Sequence, residues 1–210
     1  MKKMSKKIFW IGLWTMLLSL GVQAQETPNA KQARRIFDEV YQKVFGNQGA
    51  SLHYKVDVAS IYKTEGTIWY KGKKSKYLSA SSKSWNDGVV AYVVKDKKKT
   101  VEMFDANSSK QSRFGDDFKF EPENYTYQIE NVDEGILITL RGKKGVKAMK
   151  EIRALLDKTT RDPVSVRIKV AFIWANVLIS NLKSGNLKDE VFTFPRSQYR
   201  NYKFIDRRGE

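Results

Sequence analysis

The chain has 210 residues, with 39 Lys and Arg against 23 Asp and Glu, for a formal net charge of +16. At 41% hydrophobic and 12% aromatic residues it is too apolar to be disordered, and its length suits one domain, or two small ones, around a packed core. The absence of Cys excludes a disulfide framework, thiolate metal sites and a cysteine nucleophile; a single histidine, His53, argues against a histidine metal cluster or a Ser-His-Asp triad.

Taken alone, the charge suggests nucleic acid or an anionic membrane surface as a partner. The N-terminus changes that reading. Lys2, Lys3, Lys6 and Lys7 precede an uncharged apolar stretch, residues 8–21, and then Val22-Gln23-Ala24 before Gln25. A basic start, a short apolar run and small residues at the end are the pattern of a secretory signal peptide over residues 1–24. As a helix the 14 uncharged residues would reach only about 21 Å, short of the ~30 Å hydrocarbon core of a membrane. The expectation is export to a periplasm and release as a soluble chain, 25–210, with no lipidated cysteine at its start. It would keep 35 basic against 23 acidic residues, a net of +12. An exported chain does not meet nucleic acid.

After the leader, Thr27-Pro28 supplies a capping hydroxyl and a proline suited to a first helical turn. Ala33, Ile36, Phe37, Val40, Tyr41 and Val44 then recur at helical spacing, and Gly46-Asn47-Gln48-Gly49 follows as a stop. This predicts one amphipathic helix of about four turns.

From Ser51 the period becomes two, with Leu52, Tyr54, Val56 and Val58 alternating with more polar positions. Further strands are predicted over 66–70, 76–84, 89–95, 100–104, 125–130, 136–141, 151–157, 164–172 and 177–182. Turns are expected at Asn86-Asp87-Gly88, at 96–99, at 132–135, at 159–163 and around Ala175-Asn176. Residues 106–124 are the least regular stretch. Helix-then-strands at this spacing predicts a mainly β (α+β) fold: one antiparallel meander curled into an incomplete barrel, or half-barrel, with the N-terminal helix as its lid. A curved sheet under a helix can form a pocket.

Several segments resemble the LolA family of periplasmic lipoprotein carriers. Gly66-Thr67-Ile68-Trp69-Tyr70-Lys71 is similar to that family's early G-x-L-W-x-K strand, and Asn86-Asp87-Gly88-Val89-Val90-Ala91-Tyr92 to its S-D-G-K-x-x-W/Y turn and strand. Residues 163–181 resemble a late hairpin, Val191-Phe192-Thr193-Phe194-Pro195 the closing x-F-T-F-x-x-P signature, and Phe204-Ile205-Asp206 the tail. The resemblance spans the chain after the leader. It implies an unclosed barrel whose apolar cavity holds the acyl chains of outer-membrane lipoproteins. It also implies a shuttle between an inner-membrane lipoprotein-releasing complex and an outer-membrane acceptor. Where the family carries K-R-P this chain has Lys71-Gly72-Lys73, so no arginine role is carried over.

Such a carrier needs a dry apolar surface rather than a catalytic group, because each exposed methylene costs ~0.8 kcal/mol in water and a chain of about a dozen ~10 kcal/mol. No catalytic residue, metal or cofactor is implied. The candidate cavity residues are Ile36, Phe37 and Val40 on the helix and Trp69, Tyr77, Trp85 and Tyr92 on the strands; ordinary core packing is the alternative for each. Phe172, Ile173 and Trp174, beside an expected hairpin tip, are candidates for contact with a membrane or a partner; a longer strand is their alternative. The basic runs at 71–76, 95–99 and 143–150 read as solvated turn charge, and their sum as a possible attraction to anionic membrane surfaces. A lipid-sensing regulatory module with the same fold is the alternative function. No convergent carboxylate pair or nucleophile motif supports an enzyme.

Overall fold

The computed structural model describes residues 26–108, 120–146 and 149–209. The predicted leader, residues 1–24, lies outside them, as do residues 109–119 of the irregular stretch.

The predicted helix is α1, Pro28–Phe45. The Thr27 hydroxyl accepts the Ala30 N–H at 3.1 Å, and the Gly46 N–H closes the far end on the Gln42 carbonyl at 2.9 Å. Ala33, Ile36 and Val44 are its buried residues, as the apolar spacing requires.

Twelve strands follow: β1 (Ala50–Val58), β2 (Tyr62–Lys71), β3 (Lys74–Ser79), β4 (Lys83–Asn86), β5 (Val90–Lys95), β6 (Thr100–Asp105), β7 (Tyr125–Val132), β8 (Gly135–Gly142), β9 (Met149–Leu156), β10 (Pro163–Val170), β11 (Ile173–Ser184) and β12 (Lys203–Asp206). They form one open sheet in the order β12-β6-β5-β4-β3-β2-β1-β11-β10-β9-β8-β7. Two meanders, β1 to β6 and β7 to β11, are joined where β1 pairs with β11. All pairings are antiparallel except β12 with β6. The sheet is not closed into a barrel: β12 and β7 are its two edges.

Besides shifts of a few residues at strand ends, three features differ from the sequence reading, the first being β12, a strand that pattern alone does not predict. The strand expected over 76–84 is two strands, because Ser79 turns the chain. Its hydroxyl accepts the Ser82 N–H at 3.0 Å, and its N–H donates to the Ser82 carbonyl at 2.9 Å. The turn expected around Ala175-Asn176 falls instead at Ala171-Phe172, with Ala171 at φ 53° and Val170 opposite Ile173. Ala175 and Asn176 lie inside β11. The expected Asn86-Asp87-Gly88 turn forms, with Gly88 at φ 94° and the Asp87 carboxylate accepting the N–H groups of Val89 and Val90, both at 2.8 Å.

Helix α1 defines the inner face of the sheet. Its Ala33 and Ile36 pack with Tyr125, Tyr127, Ile138, Leu140, Ile152 and Leu156 of β7 to β9. Its Val44 packs with Leu52 and Ile68 of β1 and β2. The helix therefore crosses from one meander to the other. On the outer face, residues 194–204 cover β4 to β6: Phe194 and Tyr199 form a buried cluster with Trp85, Val94 and Val101.

Candidate functional site

Strand register assigns every side chain to a face, since neighbours directly opposite in a ladder point the same way. On the inner face Leu52 lies opposite Ile68, and Ile68 opposite Tyr77. An aromatic line follows the helix onto this part of the sheet. Phe37 neighbours Tyr41 (ring centroids 6.0 Å apart), Tyr41 neighbours Phe45 (4.7 Å), Phe45 neighbours Tyr70 (4.6 Å) and Tyr70 neighbours Tyr77 (5.8 Å). The hydroxyls of Tyr70 and Tyr77 share a hydrogen bond of 2.6 Å. Burial pushes the Tyr70 phenol well above its ordinary range and raises that of Tyr77, so both stay neutral and this wall carries no charge.

Gly66 belongs to the same wall. A Cβ there would lie 2.4 Å from the Leu78 carbonyl oxygen and 3.0 Å from the Tyr54 hydroxyl. The glycine of the early strand motif is thus required by the close approach of β3 and the Tyr54 ring.

Between the two ends of the helix, β1, β11 and β10 present a stripe of aliphatic side chains on the inner face. Val56 lies opposite Val177, and Val177 opposite Val166; Val58 lies opposite Ala175, and Ala175 opposite Ile168. Val170 extends the stripe to the end of the sheet, where it faces Ile173. Val56, Val58, Val170 and Val177 are only half-buried, and they belong to none of the core clusters formed among the described residues. An apolar strip of this kind, three strands wide and flanked by the aromatic line, suits an alkyl chain rather than a polar ligand.

The seven cavity candidates divide between the faces. Ile36 is core, 2% exposed, while Phe37 and Val40 are partly buried against the same cluster. Tyr77 joins the aromatic line. Trp69, Trp85 and Tyr92 point the other way. Lys76 sits opposite both Trp69 and Trp85 in the ladder, its ammonium 4.8 Å and 5.7 Å from their ring centroids. Tyr92 lies on Phe194. Register is what divides them: Trp69, Lys76 and Trp85 share one face, and Leu52, Ile68 and Tyr77 the other. The aliphatic positions of the stripe are those that sequence inspection passed over in favour of aromatics. Their signal was the plain alternation of Val56 and Val58.

Phe172, Ile173 and Trp174 also separate. Phe172 is in the turn and 84% exposed, Ile173 turns to the inner face, and Trp174 to the outer one, beneath Arg153, Arg167 and Lys169.

The Lys71-Gly72-Lys73 run has a role of its own. Lys71 donates to the Leu187 carbonyl at 2.7 Å and pairs with Asp189 at 2.7 Å, and Lys74 pairs with Asp189 at 2.9 Å. Hydrogen bonds from the two ammonium groups hold the Asp189 carboxyl down at about 2. These contacts tether the C-terminal segment to the β2–β3 turn.

A shallow depression of about 600 Å³ on the outer side of α1 is lined by charged residues including Lys31, Arg34, Arg35, Asp38 and Glu39, and it lies apart from the apolar stripe. Among the described residues no group of three or more His, Asp or Glu is placed to hold a metal ion, and no helix is long and apolar enough to cross a membrane.

No protein-family model matches the chain, and no curated protein matches it in sequence. Solved structures do. A conserved protein of Thermus thermophilus superposes with a TM-score of 0.57 at 10% identity, over 84% of this chain and 99% of that one. The LolA superfamily protein NE2245 of Nitrosomonas europaea matches at a TM-score of 0.40 and 12% identity, over 81% of this chain and all of that one. MucB in its complex with MucA from Pseudomonas aeruginosa matches at 0.49 and 9% identity, over 79% of this chain and 62% of that one. The likeness to the Thermus thermophilus protein is one of fold alone.

Proposed function

We infer that this chain is a carrier of acyl chains, binding them on the inner face along the stripe formed by Val56, Val58, Val166, Ile168, Val170 and Val177. The observation that carries the reading is the half-buried aliphatic stripe itself, apolar across three strands and flanked by helix α1 and the neutral Tyr70–Tyr77 wall. A dozen methylenes moved from water onto such a face gain about 10 kcal/mol, enough to hold a lipid tail that would otherwise not leave a membrane. Of the residues expected from sequence, Phe37, Val40 and Tyr77 belong to this site, with Ile36 as the core residue that seats the helix beside it. The motif resemblance supports outer-membrane lipoproteins as the cargo, an inner-membrane releasing complex as donor and an outer-membrane acceptor. The leader pattern over 1–24 supports a periplasmic place of work. No covalent chemistry is needed, and cargo is released when the helix and stripe close on each other in its place.

The test is direct. The leader-free chain is titrated with a lipidated peptide and with its unacylated twin. The acylated peptide is expected to bind, and the twin not. Equal binding of the two overturns the reading.

A further inference from the structure

Antiparallel pairing of β1 with β11 brings two hairpin tips to the same end of the sheet: the β1–β2 turn, Ala59-Ser60-Ile61, and the β10–β11 turn, Ala171-Phe172. Among the described residues, seven large hydrophobics are exposed, and four of them are at this end: Ile61 (87%), Phe172 (84%), Tyr62 and Ile173. That is a concentration at one end, whereas isolated surface hydrophobics are ordinary. Ala59, Ser60 and Ala171 hold the two turns with φ of 48°, 60° and 53°. None of the three is a glycine, so both tips keep a conformation that L-residues rarely adopt.

The surroundings of the tips are cationic. On the outer face just behind Phe172, the Trp174 ring has Arg167 at 4.8 Å, Arg153 at 5.1 Å and Lys169 at 5.7 Å from its centroid. Lys63 lies behind Ile61. The acidic groups here are Asp57, 3.4 Å from Lys63, and Glu151, 2.6 Å from Arg153 and 3.8 Å from Arg141. Arg167 donates to Asn176 at 2.9 Å. Basic side chains therefore outnumber acidic ones around the exposed apolar tips.

We propose that the twin tips are a membrane-docking device: Ile61 and Phe172 enter the headgroup region of an anionic bilayer while Arg153, Arg167 and Lys169 meet its phosphates. Charge complementarity singles out an anionic lipid surface, and Trp174 is placed at the depth where an indole is favoured, apolar ring below and cations above. The site follows on from the apolar stripe. Ile173, Tyr62, Val170 and Val58 share the inner face, so the end that touches lipid is also the end at which the stripe begins. Docking would set the mouth of the stripe against the acyl chains of the bilayer. The device does not depend on the carrier reading, since empty vesicles test it without any acylated cargo.

The leader-free chain, residues 25–210, holds every described element and is floated with phosphatidylcholine vesicles, with and without phosphatidylglycerol. It is expected to partition onto the anionic vesicles and to leave them as salt is raised. I61S/F172S should lower that partitioning by about tenfold or more, with its thermal melting unchanged. R167Q/K169Q should remove the preference for anionic lipid. Because the chain has no cysteine, F172C carries a single environment-sensitive dye. Its emission is expected to shift to the blue on anionic vesicles, while E134C, in the β7–β8 turn at the opposite end of the sheet, reports no shift. The proposal is overturned if the parent chain ignores vesicle charge, if I61S/F172S partitions as the parent does, or if F172C and E134C respond alike. It is also overturned if the tips hold a dimer that I61S/F172S dissolves. Loss of acylated-peptide binding with vesicle docking intact would sink the carrier reading alone.

Discussion

Tyr92 and Phe194 stack face to face, their ring centroids 4.5 Å apart and their planes 11° from parallel. Trp85 meets the same phenylalanine edge-on at 5.4 Å, and Tyr199 lies against it at 5.1 Å. Phe194 comes from the closing Val191–Pro195 segment, so that segment seals the outer face and the aromatics of β4 and β5 are its core.

Phe194→Ala should therefore cost about 3–5 kcal/mol of stability, the usual range for emptying a buried aromatic site. Urea unfolding, read as a shifted midpoint at constant slope, measures it. Affinity of the folded fraction for an acylated peptide should not change, and a loss of that affinity would contradict the division into two faces.

Val56 and Val177 sit opposite each other in the stripe. Replacing both by Asn puts two amides in the stripe proposed to take the alkyl chain. V56N/V177N should weaken acylated-peptide binding by about tenfold or more, corresponding to at least ~1.4 kcal/mol. Isothermal titration against the parent checks this, with binding of the unacylated twin as the baseline.

Ile36 marks where the helix is held most firmly, being 2% exposed within the β7–β9 cluster. Ile36→Ala should destabilise the fold by about 2–5 kcal/mol. Val40→Ala, at a half-buried position, should cost less. If the two cost the same in denaturant unfolding, the helix is not anchored in the way its burial indicates.

The Asp189 tether carries a pH signature. Its carboxyl is held at about 2 in the folded chain against an ordinary 3.8, so its contribution is present above about pH 4 and is lost as pH falls through about 2. Asp189→Asn should flatten that part of the stability profile between pH 4 and 2 and leave the profile above it parallel to the parent's. Thermal melting across the range reads the difference. Exposure of this pair to solvent keeps the effect small and salt-sensitive.

Much of the fold is legible in local pattern. The helix from Pro28 to Phe45 follows from the spacing of Ala33, Ile36 and Val44 and from the Thr27-Pro28 start, because capping and amphipathicity act within a few residues. The Asn86-Asp87-Gly88 turn follows from side chains that bond their own backbone. Less legible is the stretch after Tyr77, where strand-like residues continue through a serine turn. The same holds at Ala171-Phe172, where two residues with no turn preference make the hairpin because strand pairing on both sides compels it. Nor does Lys71-Gly72-Lys73 announce its partner, since Asp189 is more than a hundred residues away.

What the sequence determined by itself was periodicity: one amphipathic helix, then strands of alternating character, under a charge carried largely at turns. A period of two says that neighbouring residues face opposite ways without saying which way is in. Only the tertiary structure decided that, through the ladder that places Tyr77 on the helix side, Trp69 on the opposite face, and Trp85 and Tyr92 beneath the C-terminal segment. The same ladder, by setting β1 beside β11, brought Ile61 and Phe172 to one end of the sheet. Register is a pairwise property of distant segments, and burial of one face against whatever covers it is what selects it.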